Sequence, residues 1–367
     1  MHNQAQSKTY HKIKIYLFFV GLVLDIVILS FLAFSGLSVQ IREFCVHLTS
    51  NVFLINGIYI TLFGGVMYLL HFPLSVYEGF FWEHKFDLSN QKFFQWLTDE
   101  LKKLGLSYVL VLTVVEIIYV FLNHFPQNWW IGAGIFWLFL TLVLARIMPN
   151  VIVPIFYKYS VIENKELREP ILELFRKCKV NIRDAYLINF SAKTKKATAF
   201  ICGLGKSRRI VLTDTLVSSF TISEIETVVA HELGHYKHRD ILKLTLINSF
   251  VIFFGFFLID RFLKWALVHL GLMRMDDIAF FPILALAMMV FGFFTAPLLN
   301  WYSRVVEMQA DRFSLELTKK PKEFIAMMHK LATMNMAEYE PGRFKEVWFY
   351  DHPPILKRIK FAENFRV

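Results

Sequence analysis

The amino-acid sequence predicts a mostly α, polytopic helical membrane protein with a small α+β portion outside the membrane. Hydrophobic residues make up 56% of the 367-residue chain, and the chain contains 39 phenylalanines. This proportion exceeds the usual apolar content of soluble globular proteins. Much of it lies in runs of about 20 residues, the length a helix needs to cross about 30 Å of hydrocarbon. Both observations indicate that lipid is the solvent for much of the chain.

Six apolar stretches are long enough to be membrane spans. They are residues 15–37, 52–76, 106–122, 129–153, 244–263 and 278–299. The first is too long for the apolar part of a removable signal peptide and lacks a small-residue cleavage site. We therefore expect it to be a retained membrane anchor.

Basic residues are distributed unevenly between the two sides of the predicted bundle. Lysines precede the first stretch, lie between the second and third, and are frequent in segment 157–243 and in the tail after residue 300. The connections on the other side contain only Arg42, Arg261, Lys264 and Arg274. Because cytoplasmic loops carry an excess of lysine and arginine, we expect both termini and segment 157–243 to be cytoplasmic.

Four ionisable residues fall within or at the ends of the predicted spans: Asp25, Glu116, Arg146 and Asp260. An ionisable side chain facing lipid is costly, so we expect each of them to face other helices or a wet cavity. The sequence leaves open whether they pair structurally or contact a substrate.

Segment 157–243 is the main polar portion of the chain. Apolar residues at helical spacing predict a helix at 170–179. Three runs typical of strands follow, at 185–188, 197–202 and 209–212. The glycine-containing loop 203–207 joins the last two as a hairpin would.

The next predicted helix carries the sequence His231-Glu232-Leu233-Gly234-His235. Thr221 or Ser223 is expected to open it, and Ser223 with Glu226 fits a capping box. Residues four apart share one face of a helix, so both imidazoles can reach one tetrahedral ion. Glu232 stands beside them as a base for water that a zinc ion acidifies, which is the layout of a metallopeptidase. Chance occurrence of this short motif on an ordinary helix is the alternative.

A catalytic zinc site needs a third protein ligand. His238 is a poor candidate, because the spacing does not fit the longer motif that supplies a third histidine. Glu307 is a better one: it directly follows the last apolar stretch, and the histidine pair directly precedes the fifth, so both lie at one membrane face. Asp311, one turn further, is placed to fix the tautomer of a ligand histidine. The alternative is a charged interfacial helix with snorkelling side chains.

On these residues the chain resembles the integral-membrane CAAX prenyl proteases of type I, the Ste-type zinc metallopeptidases. The resemblance extends along nearly the whole chain, and although many peptidases share the HExxH pattern, the ordered set of matches is specific. Besides that motif, the matching segments are 73–91, 149–156, 203–216, 303–311 and 352–358.

The resemblance implies the role of each site residue. His231, His235 and Glu307 would bind one Zn²⁺ per chain, Glu232 would be the catalytic base, and Asp311 would contact a ligand histidine. His352 and Arg358 would lie near the site, contacting substrate or stabilising the oxyanion; the alternative for His352 is a turn residue before two prolines. The implied fold has about six to seven transmembrane helices around a wet chamber, with zinc at its cytoplasmic end.

Two features depart from the family pattern. Family members usually have an Asn-Ala-aromatic strand that pairs with the substrate backbone, and here the strand reads Thr198-Ala199-Phe200. Threonine favours strands but cannot reproduce every hydrogen bond of an asparagine amide, which leaves substrate preference open. Eukaryotic members also have seven spans against six here, and a seventh would have to lie in the connection 37–50.

The sequence thus predicts a zinc-dependent endopeptidase of a bacterial inner membrane or the endoplasmic reticulum membrane, acting on CAAX-type prenylated or similar peptide C-termini. Residues 1–156 would supply four spans, 157–243 the cytoplasmic peptidase portion, 244–299 two further spans, and 300–367 the third ligand and the tail. A quality-control metalloprotease for membrane proteins is one alternative. A non-enzymatic membrane scaffold or transporter with a vestigial metal site is another.

Composition also excludes some classes of protein. The net charge of +10 does not indicate a nucleic-acid partner, because the sequence has no nucleic-acid motif with interleaved aromatics. Three scattered cysteines, Cys45, Cys178 and Cys202, argue against a disulfide framework and a cysteine–zinc site.

Overall fold

A computed structural model describes residues 4–203, 208–270 and 274–366, and it confirms the predicted polytopic helical architecture. Two short π-helical turns, Tyr77–Trp82 and Met148–Ile152, interrupt the helical segments. In chain order, the helices are α1 (Gln4–Phe34), α2 (Leu37–Leu48), α3 (Val52–Val76), α4 (Glu83–Lys85), α5 (Phe93–His124), α6 (Trp129–Ile147), α7 (Val153–Phe156), α8 (Lys165–Lys177), α9 (Asp214–Ser219), α10 (Ile222–His238), α11 (Asp240–Leu270), α12 (Phe281–Thr318), α13 (Pro321–Met334), α14 (Arg343–Phe349) and α15 (Ile355–Glu363).

Within the described residues, six helical segments are long and apolar enough to cross a membrane, as the sequence predicts. They are Gln4–Phe34, Val52–Lys85, Phe93–His124, Trp129–Phe156, Asp240–Val268 and Ile278–Thr318. Most extend beyond the predicted apolar stretch, because hydropathy marks the part in lipid and not the end of the helix. The first ends before its predicted limit, where Gly36 adopts a φ of +80° that glycine tolerates at little cost.

The connection 37–50 forms α2, a helix of 12 residues. At about 1.5 Å per residue, a helix of this length falls well short of a bilayer. Its buried Ser38 hydroxyl lies 2.6 Å from the Tyr59 hydroxyl and donates to the Ala279 carbonyl at 2.6 Å. The segment therefore packs on the end of the bundle and is not a seventh span.

Three of the four ionisable residues in the spans pair with a polar side chain on another helix. The Asp25 carboxylate lies 2.8 Å from His71, Glu116 accepts from Asn56 at 3.2 Å, and Asp260 accepts from Trp129 at 2.8 Å. Arg146 is exposed. These three carboxylates thus join spans to each other, which removes much of the cost of burying them.

The polar portion contains a four-stranded sheet of order β1-β2-β4-β3. Strand β1 (Tyr159–Val161) is antiparallel to β2 (Ala185–Ile188), and β2 is parallel to β4 (Arg209–Thr213). Strand β3 (Ala199–Cys202) is antiparallel to β4 and forms the edge. Residues 204–207 of the predicted hairpin loop lie outside the described residues.

Two predicted starts in this portion were wrong, and the ends of α8 and β4 differ from prediction by two residues and one residue. Strand β3 begins at Ala199 and not at Ala197, because the Asn335 amide bonds both the N–H and the carbonyl of Ala197. Helix α8 begins at Lys165, five residues before the predicted start, because the Asn164 side chain caps it by accepting from the Glu166 N–H at 2.9 Å.

The predicted capping box at the start of α10 was also wrong in register. Thr221 is the N-cap, and its hydroxyl accepts from the Glu224 N–H while the Glu224 carboxylate accepts from the Thr221 N–H. Ser223 and Glu226 instead contact the Lys320 ammonium. Either pair fits the sequence pattern, and both glutamates also pair with a lysine distant in the chain, Glu226 with Lys320 and Glu224 with Lys330.

Candidate active site

Helix α10 lies very close to α12, and Gly234 makes this approach possible. A Cβ at Gly234 would lie 3.1 Å from the Ala310 Cα and 3.2 Å from the Phe313 Cβ, both on α12. Such distances are shorter than ordinary van der Waals contact between carbon atoms. The absence of a side chain at this position lets His231 and His235 of α10 face Glu307 of α12.

The structure brings these three predicted ligands together. The Nε2 atoms of His231 and His235 are 3.1 Å apart. Glu307 Oε2 lies 3.4 Å from His231 Nε2, and Glu307 Oε1 lies 3.2 Å from His235 Nε2. One ligand atom from each residue lies within 4.8 Å of the others, a grouping that can hold a metal ion.

The chemistry of the three side chains fits a cation better than it fits an empty site. Glu307 is 6% exposed, yet no described residue donates a hydrogen bond to its Oε2. A buried polar atom without a partner costs free energy, and a cation between the three residues would satisfy it. The two facing imidazole nitrogens would likewise become ligands instead of competing for one proton.

Each of the two histidines also has a buried carboxylate at its other ring nitrogen. Asp311 Oδ1 lies 2.9 Å from His231 Nδ1, as the sequence predicts for a ligand partner. Asp240 Oδ2 lies 3.1 Å from His235 Nδ1. The sequence did not predict this role for Asp240. Helix α10 ends at His238, its C-cap Arg239 adopts a left-handed conformation, and Asp240 then begins α11. A carboxylate here orients the ring and raises its basicity toward a metal.

Arg358 forms a buried two-bond ion pair with Asp311. Its Nε donates at 2.7 Å and its Nη2 at 2.6 Å to the two carboxylate oxygens. The same Nη2 lies 3.8 Å from Glu307 Oε2. Arg358 therefore fixes Asp311, which in turn contacts His231, and it also places a positive charge at the edge of the ligand group.

His352 lies at the mouth of the ligand group. Its Nε2 is 3.3 Å from Glu307 Oε1, and its Nδ1 is 2.8 Å from Asp351 Oδ1. Burial lowers the pKa of His352, but the Asp351 hydrogen bond and the Glu307 charge outweigh it, so the pKa is raised. A raised pKa favours the form in which both ring nitrogens donate.

Glu232 follows His231 directly in α10 and lines a cavity beside the three predicted ligands. Burial raises the pKa of its carboxyl, although the two histidines act in the opposite direction. A carboxylate with a raised pKa is a stronger base than an ordinary glutamate. This is the property that a residue accepting a proton from water requires.

A cavity of about 490 Å³ runs from this group to the edge strand of the sheet. Glu232, His352 and Arg358 line one side of it, and Thr198 and Ala199 line another. The Thr213 N–H donates to the Thr198 carbonyl at 3.1 Å. In an antiparallel ladder bonded and non-bonded pairs alternate, so the N–H and carbonyl of Ala199 and Ile201 point away from β4. Phe200, between them, is bonded to β4.

Proteins of related sequence and structure bear on this arrangement. The uncharacterized metalloprotease YhfN of Bacillus subtilis is 28% identical over 98% of this chain and 85% of its own length. CAAX prenyl protease 1 of Saccharomyces cerevisiae is 28% identical over 82% of this chain and 70% of its own length. The crystal structure of S. mikatae Ste24p has the same fold, with a TM-score of 0.84 and 21% identity over 99% of this chain and 88% of that chain.

Family models cover almost the entire chain. Residues 2–158 match the CAAX prenyl protease N-terminal family, described by five membrane helices, and residues 162–366 match peptidase family M48. These matches identify a multi-pass membrane metalloendopeptidase with a metal cofactor and a peptide or protein substrate, and they do not favour a non-enzymatic scaffold. The second match covers more than half of the sequence, and the chain belongs to peptidase family M48.

Proposed function

We propose that the cofactor is one zinc ion held by His231, His235 and Glu307. Ligand bonds of about 2.0–2.1 Å at tetrahedral angles give ligand separations of about 3.3–3.4 Å. The two imidazole nitrogens are 3.1 Å apart, and each has a different Glu307 oxygen near that separation, Oε1 at 3.2 Å from His235 and Oε2 at 3.4 Å from His231. Two imidazoles with one carboxylate also form a ligand set typical of catalytic zinc. Bound there, zinc supplies a Lewis acid that polarises a carbonyl and acidifies water.

The substrate would lie along the open edge of β3. Its backbone would pair with the outward N–H and carbonyl groups of Ala199 and Ile201 and add a strand to the sheet, displacing the 3.4 Å hydrogen bond that the Thr198 hydroxyl donates to the Ala199 carbonyl. Thr198 and Phe200 would hold the strand in place through their bonds to β4. This position brings a peptide bond into the cavity that Glu232 and the ligand group share.

The remaining side chains would transfer protons and stabilise the negative charge that develops on the substrate. Glu232 would accept a proton from the attacking water and pass it to the leaving amine. His352 would donate from a ring nitrogen to the oxygen of the scissile carbonyl as negative charge develops there. Arg358 stands close enough to Glu307 to contribute positive charge at the same place, while it holds Asp311.

The substrate class we propose is a CAAX-type prenylated, or similar, peptide C-terminus. The curated relatives named CAAX prenyl protease support this, as does the N-terminal family match. The cavity offers an apolar wall for aliphatic side chains next to the scissile bond. That wall consists of Met327, Met328, Leu331 and Ile355.

The active site would face the cytoplasm, because the lysine-rich connections lie on its side of the bundle. Residues 1–156 and 244–299 would form the membrane part of the enzyme. Residues 157–243 would carry the histidines and the substrate strand, and residues 300–367 would carry Glu307 and the tail.

The convergence of the three ligands beside an open strand edge is the observation that carries this proposal. Its test is cleavage by the purified full chain of a farnesylated CAAX peptide, of the same peptide without the lipid, and of an unprenylated membrane-protein fragment. We expect about one zinc per chain and cleavage of the farnesylated peptide, lost with a chelator and restored by zinc.

Two results would contradict the proposal in different ways. Cleavage of the membrane-protein fragment but not of the farnesylated peptide would reassign the substrate to quality control. A fully active chain whose zinc content is near zero would reassign the metal.

A further inference from the structure

We propose that a second cavity, at the membrane face on the active-site side, binds the phosphate group of an anionic lipid. This interfacial cavity has a volume of about 400 Å³. It lies between the start of α5, the helix α7 that ends the fourth span, and the loop that precedes β3. Lys102, Phe156, Lys158 and Lys193 are among the residues that line it.

The surroundings of the interfacial cavity place it at the depth of lipid headgroups. Leu101 and Ile155 lie next to it on α5 and α7, and they are 54% and 37% exposed. Val151, four residues before Ile155, is 54% exposed. Large apolar side chains left exposed on a membrane span face acyl chains. The cavity therefore opens where the apolar belt ends and polar surface begins.

The charge of the interfacial cavity is positive. Three lysines and one aspartate are the charged residues that line it among the described part of the chain, which gives a net charge of +2. Asp99 is 8% exposed and accepts from Lys193 at 2.5 Å and from Gln91 at 2.6 Å. That carboxylate is thus already satisfied by two donors.

The positive charges of the other two lysines, Lys102 and Lys158, are not fully neutralised by nearby carboxylates. The Lys102 ammonium lies 3.7 Å from Asp99 and donates at 3.2 Å to the Ile155 carbonyl. Lys158 is exposed, and no carboxylate of the described residues forms an ion pair with it. Two ammonium groups at the headgroup level attract an anionic phosphate, and each contributes about 1 kcal/mol near a charged membrane surface.

Aromatic rings fix the inner wall of the interfacial cavity. The Lys193 ammonium lies 4.8 Å from the Tyr157 ring centre and 5.5 Å from that of Phe156, within the range of cation–π attraction. Tyrosine is also a side chain that favours the membrane interface. The wall formed by Lys193 is therefore fixed before a headgroup binds, whereas the exposed Lys102 and Lys158 side chains can turn toward the phosphate.

The interfacial cavity is connected to the substrate strand by a short segment. Lys193 is followed by Thr194, whose hydroxyl donates to the Leu88 carbonyl at 2.9 Å, and Thr198 comes four residues later. A headgroup held by Lys102 and Lys158 would lie beside Lys193, at the start of the segment that leads into β3.

The test is native mass spectrometry of the full chain in detergent, titrated with dioleoylphosphatidylglycerol or with dioleoylphosphatidylcholine. We expect the wild type to bind the anionic phosphatidylglycerol more tightly than the zwitterionic phosphatidylcholine. The double variant Lys102→Gln/Lys158→Gln should bind it about 25-fold more weakly, at about fivefold per lysine. Lys103→Gln is the matched control, since Lys103 neighbours Lys102, pairs with Glu100 at 2.5 Å and lies outside the cavity.

Three outcomes would overturn the proposal. They are equal binding of the two lipids, equal loss in the Lys103→Gln control, and inorganic phosphate that displaces the lipid at equal concentration, which would assign the cavity to soluble anions. Should the double variant fail to fold, the single variant Lys158→Gln, at an exposed position, gives the same comparison with a fivefold expected loss.

Discussion

Asp240 and Asp311 contact His235 and His231 at the ring nitrogens that face away from the proposed metal position. Both are almost fully buried, at 1% and 0% exposure. Asp311 is itself held by Arg358, whereas Asp240 is approached by Lys243 at 3.3 Å. The two rings therefore have fixed orientations before any ion binds, which favours affinity for a metal.

We expect Asp240→Asn to weaken metal affinity by about 10- to 100-fold, because the amide no longer enforces the ring orientation or basicity of His235. Competition with a fluorescent chelator measures this affinity. Asp276→Asn, on the other side of the bundle, is the control and should leave affinity unchanged. An unchanged affinity in Asp240→Asn would show that His235 needs no partner.

We expect Glu232→Gln to keep its metal and to lower kcat by about 10²–10⁴-fold, because the amide cannot accept the proton of the attacking water. Metal content and peptide cleavage, measured on the same sample, separate the two effects. Glu226→Gln, six residues earlier on α10, makes the same chemical change away from the cavity. Wild-type rates in Glu232→Gln would rule out its role as base.

At this scale the sequence predicts the three proposed ligands and the carboxylate partner of one histidine, Asp311, but not the partner of the other, Asp240. His231, His235 and Glu307 carry a recognisable spacing and context. Asp240 does not, because it faces His235 only through the reversal of the chain at Arg239, where φ is +57°. A non-glycine residue in that conformation leaves no clear trace in the sequence.

Among the helices, the pairing of α10 with α12 decides whether the site exists. We expect Gly234→Ala to cost about 1–3 kcal/mol of strain. Relief of that strain by parting the two helices would weaken metal affinity by about 5- to 150-fold, at about tenfold per 1.4 kcal/mol.

The matched control for this change is Gly105→Ala. A Cβ at Gly105, in α5, meets no described atom within 4 Å. Because alanine is the better helix former, that variant should be neutral or slightly more stable. Chelator competition and thermal midpoints, measured on both variants, test the comparison. Equal metal affinity in the two would mean that α10 and α12 tolerate a wider spacing.

Helix α8 is joined to the start of β2 by an ion pair between Arg168 and Asp184. Two hydrogen bonds, of 2.7 and 3.0 Å, connect the groups, and they hold the pKa of Asp184 below its usual value. A carboxylate with a lowered pKa stabilises the fold above its unfolded pKa of about 3.9, and this contribution disappears as the pH falls through the folded pKa.

We therefore expect Arg168→Met to lower the free energy of unfolding at pH 7 only slightly, because solvent screens this ion pair at the protein surface. The difference in unfolding free energy between variant and wild type should narrow below about pH 4. In that range the Asp184 carboxyl of the unfolded wild-type chain binds a proton before that of the folded chain does. Denaturation curves at pH 7, 5 and 3.5 measure it. A difference that grew toward low pH would contradict the assignment.

The helices show what hydropathy can and cannot predict. All six membrane spans follow from runs of apolar residues, which lipid selects directly. The helix ends do not, because α5 and α12 continue beyond their apolar stretches on polar residues, and two overlapping capping-box patterns fit the start of α10. Such choices are made by tertiary contacts, which a local pattern does not contain.

In the whole molecule, the sheet and both termini should share one compartment. We expect a membrane-impermeant maleimide to label Gln127→Cys from outside intact cells, and Glu163→Cys only after permeabilisation, both in a chain whose native cysteines are replaced. Both positions are exposed. The reverse pattern would place the metal site outside the cytoplasm.

The order of the site residues along the chain has a consequence for biosynthesis. The two histidines precede the fifth span, and Glu307 follows the sixth. A nascent chain that has emerged only as far as α11 holds two imidazoles and no carboxylate to complete the ligand set. With Glu307 as the proposed third ligand, the enzyme would acquire hydrolytic activity only after its last hydrophobic helix has entered the bilayer, and neighbouring unfinished polypeptides would be protected from cleavage until then.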